Sequence, residues 1–347
     1  MIESLVQKIN DKKFPQTRFM GSKRKLLNFI EHTVKDLEYN TVLDAFSGSG
    51  CVSYLFKRLG KSVTSNDFLS YSHNITKATI ENNIEIVNAN DLHLLLKENK
   101  KTTTFIQDTF NGLYFTPEDN KFLDNTSSNI MLMSDEYKKA IALSALGRAA
   151  LKKQPRGVFT VIGSCYDDGR RDLKISMKEQ FIESIAEYNA SVFDNGKINK
   201  SLNSNIFDVC GSYDLIYLDP PYYSKHSDND YIRRYHFVEG LATYWKKSSI
   251  IESSRTKRIE KRETPFSAKN TCYQAFDELF GKFKSGILLV SYSSNSLPSK
   301  EEMVDIMKRH RSNVKVFEVD HRYSFGNQSE KVENNRNNVQ EYLFLGY

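Results

Sequence analysis

Two adjacent prolines close an apolar run at Leu215, Ile216, Tyr217 and Leu218, with an aspartate between the run and the prolines and a tyrosine after them. The run is rich in strand formers and bounded by turn signals, so it reads as a buried strand. Proline has no N–H to give a ladder, so the strand must stop at Asp219-Pro220-Pro221-Tyr222. A carboxylate, a stiff backbone and an aromatic ring are thereby fixed at the carboxyl end of a strand. Open α/β sheets bind their ligands at such ends.

The chain of 347 residues is long enough for one large α/β domain and a smaller domain or insertion. Its 39% hydrophobic and 27% charged residues suit a globular chain with a core. No apolar stretch approaches the roughly 18 residues that a membrane span needs. The first residues carry no signal-peptide apolar core, so a cytoplasmic protein of prokaryotic or phage origin, without a membrane, is expected. Cys51, Cys165, Cys210 and Cys272 form no CxxC pair, which argues against a zinc site or a disulfide framework. The net charge of +6 tilts towards a nucleic-acid partner without requiring one.

Strand and helix signals alternate along the chain. Residues 1–16 form a polar lead-in. Gly21 and Ser22 can open a helix with Ser22 as its cap and Leu26, Leu27, Phe29 and Ile30 as its stripe. Lys23, Arg24 and Lys25 then crowd a helix start, where cations oppose the dipole. A solvated basic face is the plain reading of those three. Thr41 to Ala45 reads as a strand running into Phe46-Ser47-Gly48-Ser49-Gly50, and Cys51 to Arg58 as a helix. Glycines allow close backbone approach to a ligand, and the helix start presents N–H groups. A second strand over 61–65 ends near Asp67, about 20 residues past the glycines, where an acid can hold ribose hydroxyls. Asp67 could equally cap the helix after Phe68.

Residues 84–203 break the alternation and are too long for one crossover. They read as a mainly helical insertion, with helices over 137–151 and 173–188 and a strand over 158–162. Arg148, Lys152, Lys153, Arg156, Arg170, Arg171 and Lys174 make it basic, with Phe159 and Tyr166 interleaved, and the cluster is expected to face DNA phosphates. Asn205 to Cys210 reads as a strand, followed by the Asp219 strand. A polar loop over 227–230 and a helix over 231–245 come next. A charged segment over 250–265 carries Arg255, Lys257, Arg258, Lys261 and Arg262. A helix over 273–283, a strand over 286–291, a helix over 301–310 and two strands joined by an asparagine-rich loop close the chain. The expected fold is a mostly parallel, doubly wound sheet.

The chemistry that fits is transfer of the activated methyl of S-adenosyl-L-methionine to an exocyclic amine. The lone pair of an aryl amine is spread into its ring, and acceptors set against its two N–H bonds localise it. Asp219 offers a carboxylate and Pro220 a rigid carbonyl. Tyr222 can stack on the base, a contact worth roughly 1–3 kcal/mol. A base inside a duplex must be flipped out to reach such a pocket.

Arg18-Phe19-Met20-Gly21-Ser22-Lys23, Asp44-Ala45-Phe46-Ser47-Gly48-Ser49-Gly50, Asp219-Pro220-Pro221-Tyr222 and the final Tyr342-Leu343-Phe344-Leu345-Gly346 stand in an order that resembles the Dam-like, alpha-group DNA adenine-N6 methyltransferases, especially the methylases of restriction systems. The resemblance covers about two thirds of the chain. It implies a Rossmann-like catalytic domain over 17–83 and 204–347 and a target-recognition insertion over 84–203. It places Phe19, Gly21 and Lys23 beside the cofactor, Asp44, Phe46, Gly48 and Gly50 along its methionine side, Asp67 on its ribose, and Asp208, or else Phe207 or Val209, near its adenine. Asp219, Pro220, Pro221 and Tyr222 would hold the target base. Double-stranded DNA is the implied partner, with a cognate endonuclease as a functional counterpart. The family often has threonine or another small residue where this chain has Ser49, a mild departure. An enzyme acting on RNA adenine or guanine N2, or a DNA-binding protein that has lost catalysis, are the alternatives.

Overall fold

The computed structural model describes residues 13–17, 19–154, 158–160, 162, 169–223, 231–322 and 338–347. Arg18, Arg156, Cys165, Tyr166, the 227–230 loop and the asparagine-rich loop therefore lie outside the described residues. Seven strands form one sheet: β1 Thr41–Asp44, β2 Ser62–Asn66, β3 Lys200–Leu202, β4 Leu215–Leu218, β5 Ile287–Ser293, β6 Val314–Arg322 and β7 Asn338–Gly346. Their order is β3-β2-β1-β4-β5-β7-β6. Strands β1 to β5 are parallel to one another. Strand β7 runs antiparallel to both β5 and β6. This is the mostly parallel, doubly wound sheet that the strand–helix alternation called for.

The helices are α1 Leu27–Val34, α2 Cys51–Arg58, α3 Ser70–Thr76, α4 Ala89–Leu96, α5 Phe105–Thr109, α6 Pro117–Met131, α7 Glu136–Lys152, α8 Arg171–Lys174, α9 Met177–Ser191, α10 Tyr231–Thr243, α11 Cys272–Lys282 and α12 Lys300–Lys308. All four residues of β4 are buried. Helices cover both faces of the sheet, which is why the strand reads as a continuous apolar run rather than an alternation. One face packs on α1 and α2 through Ile30, Val52 and Phe56. The other packs on α11 and α12 through Phe276, Leu279 and Met303. From β1 the order steps outward to β2 and β3, and from β4 to β5. The loops after β1 and β4 consequently part and leave a crevice between them.

Two expected strands are not strands. Ile206–Asp208 is a 3₁₀ turn, and the Asn205 side chain accepts the Phe207 N–H. An asparagine that satisfies the backbone locally competes with a sheet ladder. The sheet instead resumes earlier, at Lys200. Among the described residues of 158–162 there is no strand. Phe159 is a core plug, stacked on Phe237 with ring centroids 4.9 Å apart. Its N–H donates to Arg234 O at 2.9 Å. A short apolar run does not by itself distinguish these outcomes.

Helix α7 is capped by Asp135, whose carboxylate accepts the Tyr137 and Lys138 N–H groups. Every residue from Ala140 to Leu151 is buried, so the helix is central rather than amphipathic. Its small residues allow that packing. A Cβ at Gly147 would stand 2.6 Å from the Tyr71 ring. One hydrophobic cluster joins Tyr71 and Ile75 of α3, Ile141 and Leu146 of α7, Phe181 of α9 and Phe237 of α10. The helices within 84–203 thus share a core with helices that flank the crevice.

Candidate active site

The last rung between β1 and β4 is Ala45 N–H donating to Tyr217 O at 3.0 Å. The chain then turns: Ser47 N–H donates to Asn66 O, and Gly50 N–H to Ser47 O at 2.7 Å. Gly48 sits at φ +49 and Gly50 at φ +79, where side chains are strained. A Cβ at Gly48 would also lie 3.1 Å from the Phe19 ring, so that ring rests on the turn. Phe19 in turn stacks on Tyr235, with centroids 4.9 Å apart and planes at 8°. The Tyr235 hydroxyl accepts the Met20 N–H at 2.6 Å. Helix α10 therefore braces the segment that carries Gly21 and Lys23.

Phe19, Gly21, Lys23, Asp44, Phe46, Gly48, Asp67, Asp219, Pro221 and Tyr231 line one cavity. Burial pushes the Asp44 carboxyl up to about 7, against the Ser53 hydroxyl that donates to it at 2.6 Å. Burial likewise raises Asp67 to about 7, against N–H donors. These donors are Gly48 N–H to Oδ2 and Leu69 N–H to Oδ1, each at 2.8 Å. Asp67 does hold the backbone just before α3, at Leu69, and it also reaches the glycine turn. Asp44 Oδ1 and Ser47 Oγ are buried without a hydrogen-bond partner among the described residues. Such atoms cost free energy unless a ligand group satisfies them. These acceptors, at the end of β1 and in the glycine turn that follows it, suit the donor groups of a polar, cationic ligand. Gly50 does not line it; its Cβ would meet Phe14, Ile75 and Thr76.

Lys23 is no part of a solvated basic face. Ser22 makes no cap, its hydroxyl lying 3.2 Å from Ser49 Oγ, and Lys23–Leu26 is a 3₁₀ turn that points Lys23 inward. The side chain is 3% exposed and its ammonium lies 3.0 Å from Asp219 Oδ1 and 3.7 Å from Glu341 Oε1. Arg24 and Lys25 stay in solvent. Burial alone would lower the ammonium's pKa, and the two carboxylates outweigh it and hold it well above its ordinary value. One cation cannot neutralise two acids. The nearer pair, Lys23 with Asp219, is the ionic one, while burial pushes Glu341 up to about 7.

A second cavity adjoins the first through Phe46, Phe68 and Pro221 and is lined further by Asn203, Asn205, Arg262 and Phe266. Phe266 stacks on Phe207 with centroids 5.8 Å apart and planes at 7°. Asp208 is exposed and lines neither cavity, because its 3₁₀ turn directs it to solvent. Pro220 is buried. Tyr222 meets the Tyr292 ring edge-on at 5.4 Å, and burial pushes its hydroxyl up to about 12.

Among the described residues, Arg148, Lys152, Lys153, Arg170 and Arg171 are each engaged with partners inside the protein. Arg148 is 3% exposed and donates to Gln16 O at 2.8 Å, Ser184 Oγ at 2.9 Å and Glu187 at 2.5 Å. Lys152 pairs with Asp172 at 3.2 Å and Lys153 with Asp119 at 3.6 Å. Arg170 donates to Gln154 O at 3.4 Å, and Arg171 pairs with Glu183 at the surface. Phe159, expected beside them, is core. Among the described residues no cluster of His, Cys, Asp and Glu could hold a metal, and no helix is long and apolar enough to cross a membrane.

Phe68, Tyr231, Phe266 and Glu341 reach the site without having stood out in the sequence. Glu341 alone carried a signal: it alternates with Leu343 and Leu345 on one face of an apolar strand, and an acid on a buried face needs a partner.

The sequence model of one family, described as D12 class N6 adenine-specific DNA methyltransferase, matches residues 19–306. The chain is 28% identical over 353 residues to the type II methyltransferase M2.HphI of Haemophilus parahaemolyticus, covering 97% of this chain and 99% of that one. It is 28% identical over 360 residues to the type II methyltransferase M.FokI of Planomicrobium okeanokoites, with 94% of this chain spanning 52% of that one, about half its length. It is 22% identical over 343 residues to the type II methyltransferase M.NlaIII of Neisseria lactamica, with 94% and 98% covered.

Proposed function

The chain belongs to the D12 class N6 adenine-specific DNA methyltransferase family, and from that membership we propose that it carries methyl from S-adenosyl-L-methionine to N6 of an adenine flipped out of duplex DNA, at the crevice between β1 and β4. The observation that carries this reading is Asp219. Its carboxylate is 17% exposed at the end of β4, and an N–H donor, the Lys23 ammonium, already sits 3.0 Å from it. A target amine would take that acceptor in the same way.

S-adenosyl-L-methionine supplies a methyl already activated on a sulfonium. The protein's part is orientation and charge. Asp44 and Ser47 would take the donors at the methionine end, and Asp67 the ribose hydroxyls. Phe46, Phe68 and Phe266 would enclose the cofactor's adenine, with Asn203 and Asn205 at its edge; Asp208 is given no role. Asp219 would accept a hydrogen bond from one N6–H, stabilise the positive charge that grows on nitrogen and take up the one proton that the amine sheds. Pro220 O would accept a hydrogen bond from the second N6–H, with Pro221 fixing the turn and Tyr222 and Tyr231 beside the base. The body over 84–203 would serve target recognition.

Relatives named as type II methyltransferases support a further step: a site-specific enzyme whose mark protects DNA from a cognate endonuclease. The test is transfer of labelled methyl to duplex DNA. Asp219→Ala should lose roughly 10²–10³-fold or more in kcat while still binding the cofactor. Full activity in Asp219→Ala, or transfer to RNA in preference to DNA, would overturn the reading. Long-read sequencing of DNA from expressing cells would give the base and its context.

A further inference from the structure

Lys23 and Glu341 come from opposite ends of the chain and meet under the site. Lys23 leads the turn before α1, and Glu341 lies in β7 between Ser293 of β5 and Val319 of β6. Glu341 is 1% exposed, and an acid at such depth is costly unless it has a task or a partner. On the same face of the sheet, Leu343 and Leu345 of β7 are ordinary core.

The Lys23 ammonium stands on Asp219 where the functional reading seats the target amine. Two donors cannot share one lone-pair direction, so an amine seated on Asp219 Oδ1 displaces the ammonium from that oxygen. Left without a counter-charge in a buried site it would penalise adenine entry by its own desolvation. Glu341 is 3.7 Å away, close enough to take the ammonium by a side-chain shift of an ångström or less, with Lys23 still within reach of Gly21 O at 3.4 Å.

We propose that Lys23 is a placeholder for the target N6 amine and that Glu341 is the positioning residue that receives its ammonium when the amine displaces it from Asp219. This rests on the reading of Asp219 as the N6 acceptor. Burial raises the Glu341 carboxyl and the nearby Lys23 ammonium works against that rise, so the two already attract each other. Glu341 touches neither base nor methyl; it acts through Lys23.

A double-mutant cycle tests the coupling. Glu341→Gln is made in the parent and in Lys23→Met. Methyl transfer, cofactor affinity, and the fluorescence of a duplex with 2-aminopurine at the target adenine are measured. In the parent, Glu341→Gln should lower kcat roughly tenfold or more and dim the 2-aminopurine response, with cofactor affinity unchanged. In Lys23→Met, which has no ammonium to rehouse, the same change should cost less than about twofold. Equal losses in both backgrounds, or a parent kcat unaffected by Glu341→Gln, would overturn the proposal. If Glu341→Gln does not fold, Glu341→Asp keeps the charge and shortens the reach, and the same cycle is read with it. Failure of the unsubstituted protein to methylate DNA would instead count against the functional reading.

Discussion

The carboxylate of Asp67 accepts the backbone N–H of Gly48 at 2.8 Å, tying the end of β2 to the glycine turn that follows β1. Its other oxygen accepts the Leu69 N–H. One buried acid thus sets the spacing of the two loops that wall the cofactor cleft. In Asp67→Ala both loops lose that tie, and the proposed ribose contact is lost with it. Calorimetric titration with S-adenosyl-L-methionine should show affinity falling roughly tenfold to a hundredfold, as expected for hydrogen bonds to a charged group. Unchanged affinity would remove Asp67 from the cofactor site.

The buried acids give the ligand-free protein an unusual response to pH. Asp44 is raised from 3.8 to about 7 in the folded state. A carboxyl whose folded pKa is raised contributes stability that is present below its unfolded pKa and lost as pH rises through the folded one. Asp44 therefore destabilises the free protein progressively between pH 3.8 and about 7. His73 and His236, lowered by burial to about 4, act in the opposite sense and blur the total. A difference measurement isolates the acid. The melting temperature of Asp44→Asn minus that of the parent should climb as pH rises from about 4 to 7 and level off above that. A flat difference would show that Asp44 titrates normally.

Much of this arrangement can be read from the chain, and the limits have identifiable causes. Asp219-Pro220-Pro221-Tyr222 announces itself because proline leaves a strand no choice but to end, and the glycine turn because two positive φ values exclude other residues. Lys23 was ambiguous because three adjacent cations look alike until a 3₁₀ turn sends one inward and two outward. Asp208 was misplaced because a strand-like composition hid an asparagine that caps its own turn. Arg148 shows the general difficulty. Nothing in the sequence separates a basic residue on a surface from one used as an internal strut, since the distinction depends on which distant acceptors the fold brings to it.

For Arg148 those acceptors are Gln16 O, Ser184 and Glu187, drawn from the start of the chain and from α9. The guanidinium is buried, so removing it leaves these groups unpaired rather than freeing a DNA contact. Arg148→Met should lose about 2–4 kcal/mol of folding stability in denaturant titration. Its DNA affinity, measured on folded protein, should keep the parent's dependence on salt. A shallower salt dependence would return Arg148 to the DNA surface.

A further group of exposed cations lies on the segment between α10 and α11. There Ile250 and Ile259 bridge as an antiparallel pair, Ile251 N–H donates to Arg258 O at 2.9 Å, and Ile259 is buried. The Tyr114 hydroxyl donates to Thr256 O at 2.8 Å and pins the loop to the helical core. Arg255, Arg258 and Lys261 are thereby held outward on a supported loop, and Arg262 reaches back to donate to Phe68 O at the edge of the second cavity. Glu252, Glu260 and Glu263 share the segment, and its outward arginines and Lys261 are the side chains on which phosphate contacts are predicted. Phosphate contacts fix position and release counterions without reading sequence. Arg258→Ala should therefore weaken binding to cognate and unrelated duplexes by similar factors. The slope of log affinity against log salt should become shallower by about 1, the value for one lost contact. Folding stability should change little, since the side chain is in solvent. A loss confined to the cognate duplex would mean that Arg258 reads a base; no change in slope would place the DNA on another face.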